Sequence, residues 1–296
     1  MPDLMLPFGR MADSAGRDNV LGYEDQDSVI AYCRTMGKRF NCPQYQRYLF
    51  GLPVHTALSA GYQISQRGLR ETTPYACAEE TARLALQLVR DLNPIEIDLR
   101  QNVLDPFTGI GQSAYSYAKA GCCVTAIENH KITYEIAKRN FSHSKYADQI
   151  DSKVGDGPKE LADAVQTGAT YAIVHLDPPW GGNYDYDTTK PFKLQYISVN
   201  ILSLVALALE VAYVAVVNLP QNFQSEEIRK VAKNLGCSAI VQFQYISDYP
   251  PCFGQAPVYF FRTTGSTLAK EPYKEIVQLL TPDGQRVENE ESSQDP

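Results

Sequence analysis

Apolar and polar positions follow two different periods along the chain. From residue 102 onward, short apolar runs of strand length alternate with longer stretches whose apolar positions recur every three to four residues. NVLDP (102–106) predicts a strand ending in an acid, and after Gly109 and Gly111 the pattern turns helical as far as Ala120. CCVTAIE (122–128) predicts a second strand, 131–142 a helix, and 150–154 a short strand. YAIVHLDPP (171–179) predicts a buried strand, 192–209 a helix, and AYVAVVNLP (212–220) another strand. A helix over 225–235 precedes two late strands, 238–246 and 257–262, which can pair as a hairpin.

Strands and helices in this alternation predict an α/β fold, a mostly parallel sheet covered by helices on both faces. Such sheets bind ligands beyond the carboxyl ends of their strands. Three of those ends carry an acid: Asp105, Glu128 and Asp177. The N-terminal third reads differently. Residues 1–25 are rich in Gly, Asp, Ser and Pro without a sustained period and are expected to be mobile. A modest helical signal lies within 27–50. A clearer helix follows Thr72-Thr73-Pro74, which supplies a cap and a first-turn proline, and runs to Leu92. The tail from Thr281 is acidic and polar and is expected to be disordered. The division is therefore a mobile segment (1–25), a helical extension and lid (26–98), a core (99–265) and a C-terminal segment with an acidic tail (266–296).

Composition narrows the partners. With 27 Lys and Arg against 34 Asp and Glu, the formal charge is −7. That argues against a protein coating long stretches of nucleic-acid backbone, but not against recognition of one nucleotide in a pocket. Seven cysteines form no CxxC pair and no zinc spacing, so no metal is expected and the thiols read as free in a reducing compartment. The N-terminus lacks the pattern of a signal peptide. The most apolar stretch, 197–218, is broken by Glu210 and reads as a helix then a strand, not a membrane span. A soluble intracellular protein is expected.

Candidate chemistry sits at two strand ends. Asp105-Pro-Phe-Thr-Gly-Ile-Gly-Gln-Ser113 is a strand end, a glycine turn and a helix start, where exposed amides favour a negative group. Ala114 stands where a dinucleotide fingerprint has its third glycine, so this turn alone fits a dinucleotide or an adenosyl ligand. Glu128, roughly 20 residues after the turn, is placed to accept ribose hydroxyls of either. Asp156 in KVGDG reads as an acceptor for an adenine amino group or as a surface turn. The second end, Asp177-Pro178-Pro179-Trp180-Gly181-Gly182, is the most specific string in the chain. Two prolines stiffen the segment and donate no amide hydrogens, so its carbonyls and Asp177 face an incoming amine. Trp180, the single tryptophan, offers a flat surface on which a base can stack.

An acid and glycine turn on the first strand with DPPW on the fourth resembles amino-group methyltransferases of the Rossmann-like class I fold. PPWGG followed by a nearby tyrosine resembles the trimethylguanosine synthase family, which hypermethylates 7-methylguanosine caps of small RNAs. The upstream segments are similar too: YQRYLF (45–50), Gly61-Tyr-Gln-Ile-Ser-Gln-Arg-Gly68, and Thr73-Pro74 before a helix. AKRN (137–140), GD (155–156) and NLPQN (218–222) complete a resemblance spanning Tyr45 to Arg262. It implies S-adenosylmethionine as cofactor, bound by Thr73, Asp105, Phe107, Thr108, Gly109, Gly111, Glu128, Asp156 and Asp177. It implies Trp180 stacking on the 7-methylguanine, with Asn140 and Gln221 nearby, and Asp177 and Pro178 aligning the N2 amine. One of Tyr184 and Tyr186 would take the place of the family's cap-contacting tyrosine. The partner implied is a capped small nuclear or nucleolar RNA, and the location nuclear, with a monomeric catalytic unit.

The chain departs from the family at Leu69-Arg70, where an aromatic pair is usual, and at Gln63 and Gln221, where a lysine and an arginine are usual near the cap phosphates. Asp177 replaces a more usual small residue. Competing readings are an adenine-N6 or protein-glutamine methyltransferase, an inactive cap-binding relative, and a dinucleotide-dependent oxidoreductase, in which DPPW has no evident part.

Overall fold

The computed structural model describes residues 20–21, 48–65, 68–92, 102–180, 191–246, 254–262, 272–281, 283 and 285–286. The expected helix within 27–50 and the candidates Tyr184 and Tyr186 lie outside them. The core begins with helix α1 (Tyr75–Leu92) and continues as β1 (Asn102–Asp105), α2 (Gln112–Lys119), β2 (Cys123–Glu128), α3 (Lys131–His143), β3 (Ile150–Val154), α4 (Gly157–Thr167) and β4 (Tyr171–Leu176). Then come α5 (Ile201–Val211), β5 (Ala212–Val217), α6 (Ser225–Leu235), β6 (Ser238–Ile246), β7 (Val258–Phe261) and β8 (Tyr273–Leu280). The strands lie in the order β3-β2-β1-β4-β5-β7-β6-β8, with Gly254–Gln255 pairing to the far end of β6. All neighbours pair in parallel except β7, which runs against β5 and β6.

Alternation along the strands builds a core on each face. On β5, Val214 and Val216 join Ala82, Ala85, Leu86 and Val89 of α1 and Tyr117 of α2. Ala215 and Val217 face the other way, into Leu204, Val205 and Ala208 of α5 and Ile228 and Val231 of α6. Each fully buried aliphatic contributes about 1.5–3 kcal/mol. Together they fix the strand ends that carry the acids.

The expected elements over 102–262 are present, with differences at two places. The helix expected over 192–209 begins at Ile201, because Asn200 caps it by accepting from Ser203 N. Ahead of it, Phe192 N donates to Asn222 O at 2.7 Å and Leu194 N to Glu227 Oε2 at 2.8 Å, so those amides are spent on neighbouring segments. Helix α4, to which no element was assigned, is capped by Asp156, which accepts from Lys159 N at 2.9 Å. The apolar stretch 197–218 resolves into α5 and β5, and no described helix is long and apolar enough to cross a membrane.

Beyond the core, β8 is an edge strand that the sequence pattern did not disclose. The disorder expected from Thr281 does not begin there: Thr281 N bonds Gln285 O at 2.8 Å, and Arg286 meets the buried Glu80 of α1 at 2.9 Å. On the N-terminal side, Val20–Leu21, within the segment expected to be mobile, pairs with Ile64–Ser65. Leu49, Phe50, Val54, Leu58, Tyr62 and Ile64 pack on Ile110, Tyr115 and Ile136, which seats this extension against the glycine turn.

Candidate active site

The glycine turn after β1 is tied down by its own backbone and by two acids. Thr108 N bonds Ile127 O at 2.9 Å, linking the turn to β2. Asp105, fully buried, accepts from Thr108 Oγ1 at 3.0 Å and from Phe107 N at 3.4 Å. Burial pushes its carboxyl up to about 7, with the charges of Asp177 and Glu128 adding to the rise and the Thr108 hydrogen bond opposing it. Glu128 at the end of β2 accepts from Gly109 N at 3.0 Å and from His130 N at 2.8 Å.

The two glycines are needed for different reasons. Gly109 has φ +55° and nothing within 4 Å of where a Cβ would stand, so the space above its amide is open to a ligand. Gly111 has φ +100°, and a Cβ there would meet Phe141 Cε1 at 2.4 Å. Gly109 leaves a cradle, whereas Gly111 lets α3 approach.

The second strand end is a buried polar network. Asp177 follows β4 and is half-buried; its Oδ2 accepts from Thr73 Oγ1 at 2.9 Å. Burial raises its carboxyl to about 6, against the hydrogen bonds of Asn218 and Thr73, which favour the charge. Thr73 Oγ1 in turn accepts from Asn218 Nδ2 at 3.4 Å and Gln255 Nε2 at 3.3 Å. Asn218, fully buried beyond β5, also meets His175 Nε2 at 3.4 Å, and its carbonyl accepts from Trp180 Nε1 at 3.1 Å. His175 Nδ1 lies 3.2 Å from Tyr117 Oη, and burial lowers the imidazole to about 3, so it is neutral. Pro178 is buried, Pro179 exposed, and the Trp180 ring half-buried beside Phe192 at 6.5 Å between centroids. Two buried acceptors of this cluster, Asn218 Oδ1 and Gln255 Oε1, have no donor among the described residues.

Thus Thr73, Asp105, Phe107, Thr108, Gly109, Gly111, Glu128, Asp177, Pro178 and Trp180 gather at the carboxyl end of the sheet, as expected. Asp156 is an exposed helix cap, with Oδ1 spent on Lys159 N and Oδ2 facing solvent or a ligand. Asn140 departs from its expected place beside the base. It is fully buried, accepting from Gln63 N at 2.8 Å and donating to Gln63 O and Ile110 O at 3.0 and 3.1 Å. Its polar atoms are spent on backbone, so it ties the N-terminal extension to the glycine turn. Gln221 donates to Gln244 O at 2.8 Å, which holds it to β6.

Four members went unnoticed as site residues: Gln112, His175, Asn218 and Gln255. Gln112 bridges the lid to the site, accepting from Phe50 N at 2.8 Å and donating to Thr73 O at 3.0 Å. His175 carried a signal, since it lies two residues before Asp177 and so shares its face of the strand. Asn218 and Gln255 reach Thr73 only through the strand order.

A sequence model of the RNA cap guanine-N2 methyltransferase family matches residues 100–249, just over half of the 296. The chain belongs to that family. Its fold agrees with solved structures at low identity, among them a putative methyltransferase from Porphyromonas gingivalis W83 (TM-score 0.53, 11% identity, 88% of this chain and 63% of that one). The S-adenosylmethionine-dependent methyltransferase from Agrobacterium tumefaciens (0.50, 14%, 69% and 67%) and the METTL16 methyltransferase domain lacking its N-terminus (0.50, 15%, 81% and 99%) share it as well. As a member of this family the chain is an S-adenosylmethionine-dependent methyltransferase. The site fits that cofactor. Asp105 and Asp177 meet at the strand ends with no Lys or Arg side chain bonded to them among the described residues, beside the carboxylate of Glu128, an environment suited to a sulfonium and an ammonium. The open space beside Gly109 and the start of α2 would receive its carboxylate. Among the described residues no group of His, Cys, Asp or Glu is placed to hold a metal, and Cys122, Cys123 and Cys237 are free thiols.

Proposed function

We propose that the protein methylates the exocyclic N2 amine of a 7-methylguanosine RNA cap, giving 2,7-dimethyl- or 2,2,7-trimethylguanosine. The observation carrying this reading is the hydrogen-bond network beside Trp180. Asp177 Oδ2 accepts from Thr73 Oγ1, which accepts in turn from the side-chain amides of Asn218 and Gln255, and no described lysine or arginine bonds to any of them. A half-buried carboxylate with no cation bonded to it suits an amine carrying two hydrogens. Trp180, its indole fixed by Asn218 O, supplies the stacking face. The N7 methyl gives the guanine a positive charge, and its stacking on an indole gains ~0.5–2 kcal/mol over neutral guanine.

S-adenosylmethionine supplies an electrophilic methyl on a sulfonium. Asp177 and the Pro178 carbonyl hold the amine hydrogens and so aim the nitrogen lone pair; positioning of this kind supplies most of the acceleration. On methyl transfer Asp177 would take the proton released from N2. Thr73 belongs to the lid, residues 26–98, that closes over the transferase core, residues 99–265. Glu128 holds the ribose, and Asp156 Oδ2 the adenine amine. The substrates are small nuclear or nucleolar RNAs, methylated in the nucleus by a monomeric enzyme.

Mass spectrometry of a 7-methylated cap dinucleotide and its unmethylated twin, after incubation with S-adenosylmethionine, tests the reading. Gain of one or two methyls on the first substrate alone is expected. Trp180→Ala should abolish that preference, and equal methylation of both dinucleotides by the native protein would refute the reading. No gain on either, with the cofactor bound, would favour an adenine-N6 or protein-glutamine acceptor.

A further inference from the structure

Helix α3 differs from the rest of the surface in its charge. Seven described lysines and arginines elsewhere lie within 4.0 Å of a carboxylate. None of the cations on α3 does: among the described residues Lys131, Lys138 and Arg139 are exposed without an ion pair, and so is Lys145 just past its end; Arg90, Lys193, Lys230, Lys233 and Lys274 also lack one but are scattered over other elements. Glu135 is the helix's single acid against three cations, whereas α6 sets Glu226 and Glu227 against Arg229, Lys230 and Lys233. In a chain of net charge −7 this is a local reversal of sign.

Two of the cations are aligned. Lys131 and Lys138 are seven residues apart, close to two helical turns, which puts them on one face about 10 Å apart with Glu135 between them; Lys145 lies past the helix's end, its Nζ over the Tyr146 ring. The other side of α3 borders the site. Arg139 Nε donates to Gly61 O at 3.4 Å, and the adjacent Asn140 bonds both Gln63 and Ile110 of the glycine turn. Between β4, which carries Asp177, and β2, on which α3 packs, there are two strand spacings, about 10 Å. A strand leaving Trp180 crosses that distance within its first few nucleotides.

We infer that the outer face of α3, through Lys131, Lys138 and Lys145, binds the phosphate backbone of the single-stranded RNA that follows the cap. The inference rests on the proposed cap substrate. It also accounts for an acidic enzyme that lacks the family's cationic residues at Gln63 and Gln221: the phosphates are met outside the pocket, by exposed side chains that outnumber the one acid among them, Glu135. A strand of phosphates fits a row of separate, flexible ammonium groups, which need no fixed partner geometry.

Binding is measured by fluorescence anisotropy for a 7-methylguanosine cap dinucleotide and for a capped unstructured RNA of about 12 nucleotides, with native protein and a Lys131→Ala, Lys138→Ala, Lys145→Ala triple variant. Three phosphate contacts give a salt slope near −2, so the native protein should lose about 20-fold in affinity for the longer RNA between about 50 and 200 mM salt. The triple variant should lose most of that dependence and bind the longer RNA no better than the dinucleotide, while methylating the dinucleotide at the native rate. Equal native affinity for both RNAs, or an unchanged salt slope in the variant, overturns the inference. Displacement of the RNA by polyglutamate of matching charge as readily as by uncapped RNA overturns the assignment to RNA. Dinucleotide turnover reports on the cap reading separately, so failure of one is distinguishable from failure of the other.

Discussion

Replacing Thr73 with valine keeps the shape of the side chain and removes one hydroxyl on which three partners converge. The hydroxyl donates to Asp177 Oδ2 at 2.9 Å and so favours the charged carboxylate. A hydrogen bond to a charged group is worth about 1.5–3 kcal/mol, or about one to two pH units of acidity. Without it, burial is less opposed, and Asp177 should move up from about 6, reaching about 7–8. If Asp177 receives the amine proton, the acid limb of kcat, measured at saturating cofactor and cap dinucleotide, moves up by about one unit or more. The Asn218 and Gln255 amides lose an acceptor at the same time, at about 1–3 kcal/mol each, so melting should fall by on the order of 10 °C. Thr73→Ser retains the hydroxyl and should restore the native profile. An acid limb that stays in place in Thr73→Val, despite the lowered melting temperature, would remove Asp177 from the proton path and leave it only an aligning role.

Asp105 holds its proton more tightly folded, at about 7, than unfolded, at 3.8. Its contribution to stability is complete below pH 3.8 and is lost as pH rises through 7, on the order of 4 kcal/mol in all. Asp105→Asn should therefore raise the melting temperature at about pH 8 and change it little at about pH 4.5, as thermal denaturation at both pH values will show; no gain at the higher pH counts against this. Gly109→Ala and Gly111→Ala should separate cradle from scaffold. The first, with open space around its Cβ, should keep the fold and weaken S-adenosylmethionine at least ~10-fold by calorimetry. The second, strained and 2.4 Å from Phe141, should lose about 2–5 kcal/mol of stability in urea unfolding.

The fold was legible because its signals are local. Most core strands are short apolar runs, and the boundaries expected between 102 and 154 fall within a residue or two of those observed, whereas the strand expected over 171–179 ends at Leu176, ahead of Asp177 and the two prolines. Helix α4 was missed although GDGP holds both its cap, Asp156, and its first-turn proline; the acid had been read only as a ligand or a surface turn. Strand β8 has no local signature, since Lys274, Glu275 and Gln278 interrupt its apolar residues; its place is set by the open edge of β6. The same distinction divides the site. Asp105, Gly109 and Trp180 stand in strings whose chemistry is visible in the sequence. Asn140 is the contrary case. Its position suggested contact with a base, but complete burial among backbone groups made it a tie between lid and turn.

Asn218 shows why such residues matter to the chemistry. Its Nδ2 can donate to His175 Nε2 only while that nitrogen is unprotonated, which places the ring proton on Nδ1, facing Tyr117 Oη. Burial keeps the imidazole neutral down to about pH 3, so this polarity holds wherever the enzyme works. The amide is then fixed with its nitrogen toward His175 and Thr73 and its oxygen left as an acceptor. The same residue's carbonyl accepts from the indole of Trp180, so Trp180 and the Thr73–Asp177 pair are tied together through one side chain and one peptide. His175→Phe should break this coupling in a specific way. Tyr117 and Asn218 each lose a partner, at about 1–3 kcal/mol, but the main-chain bond to Trp180 survives. Cap binding should therefore stay near native while kcat falls, because the ring still stacks and the amine is no longer aimed. A variant that loses affinity and turnover together would mean that His175 supports the fold of the strand ends and does not orient the acceptor.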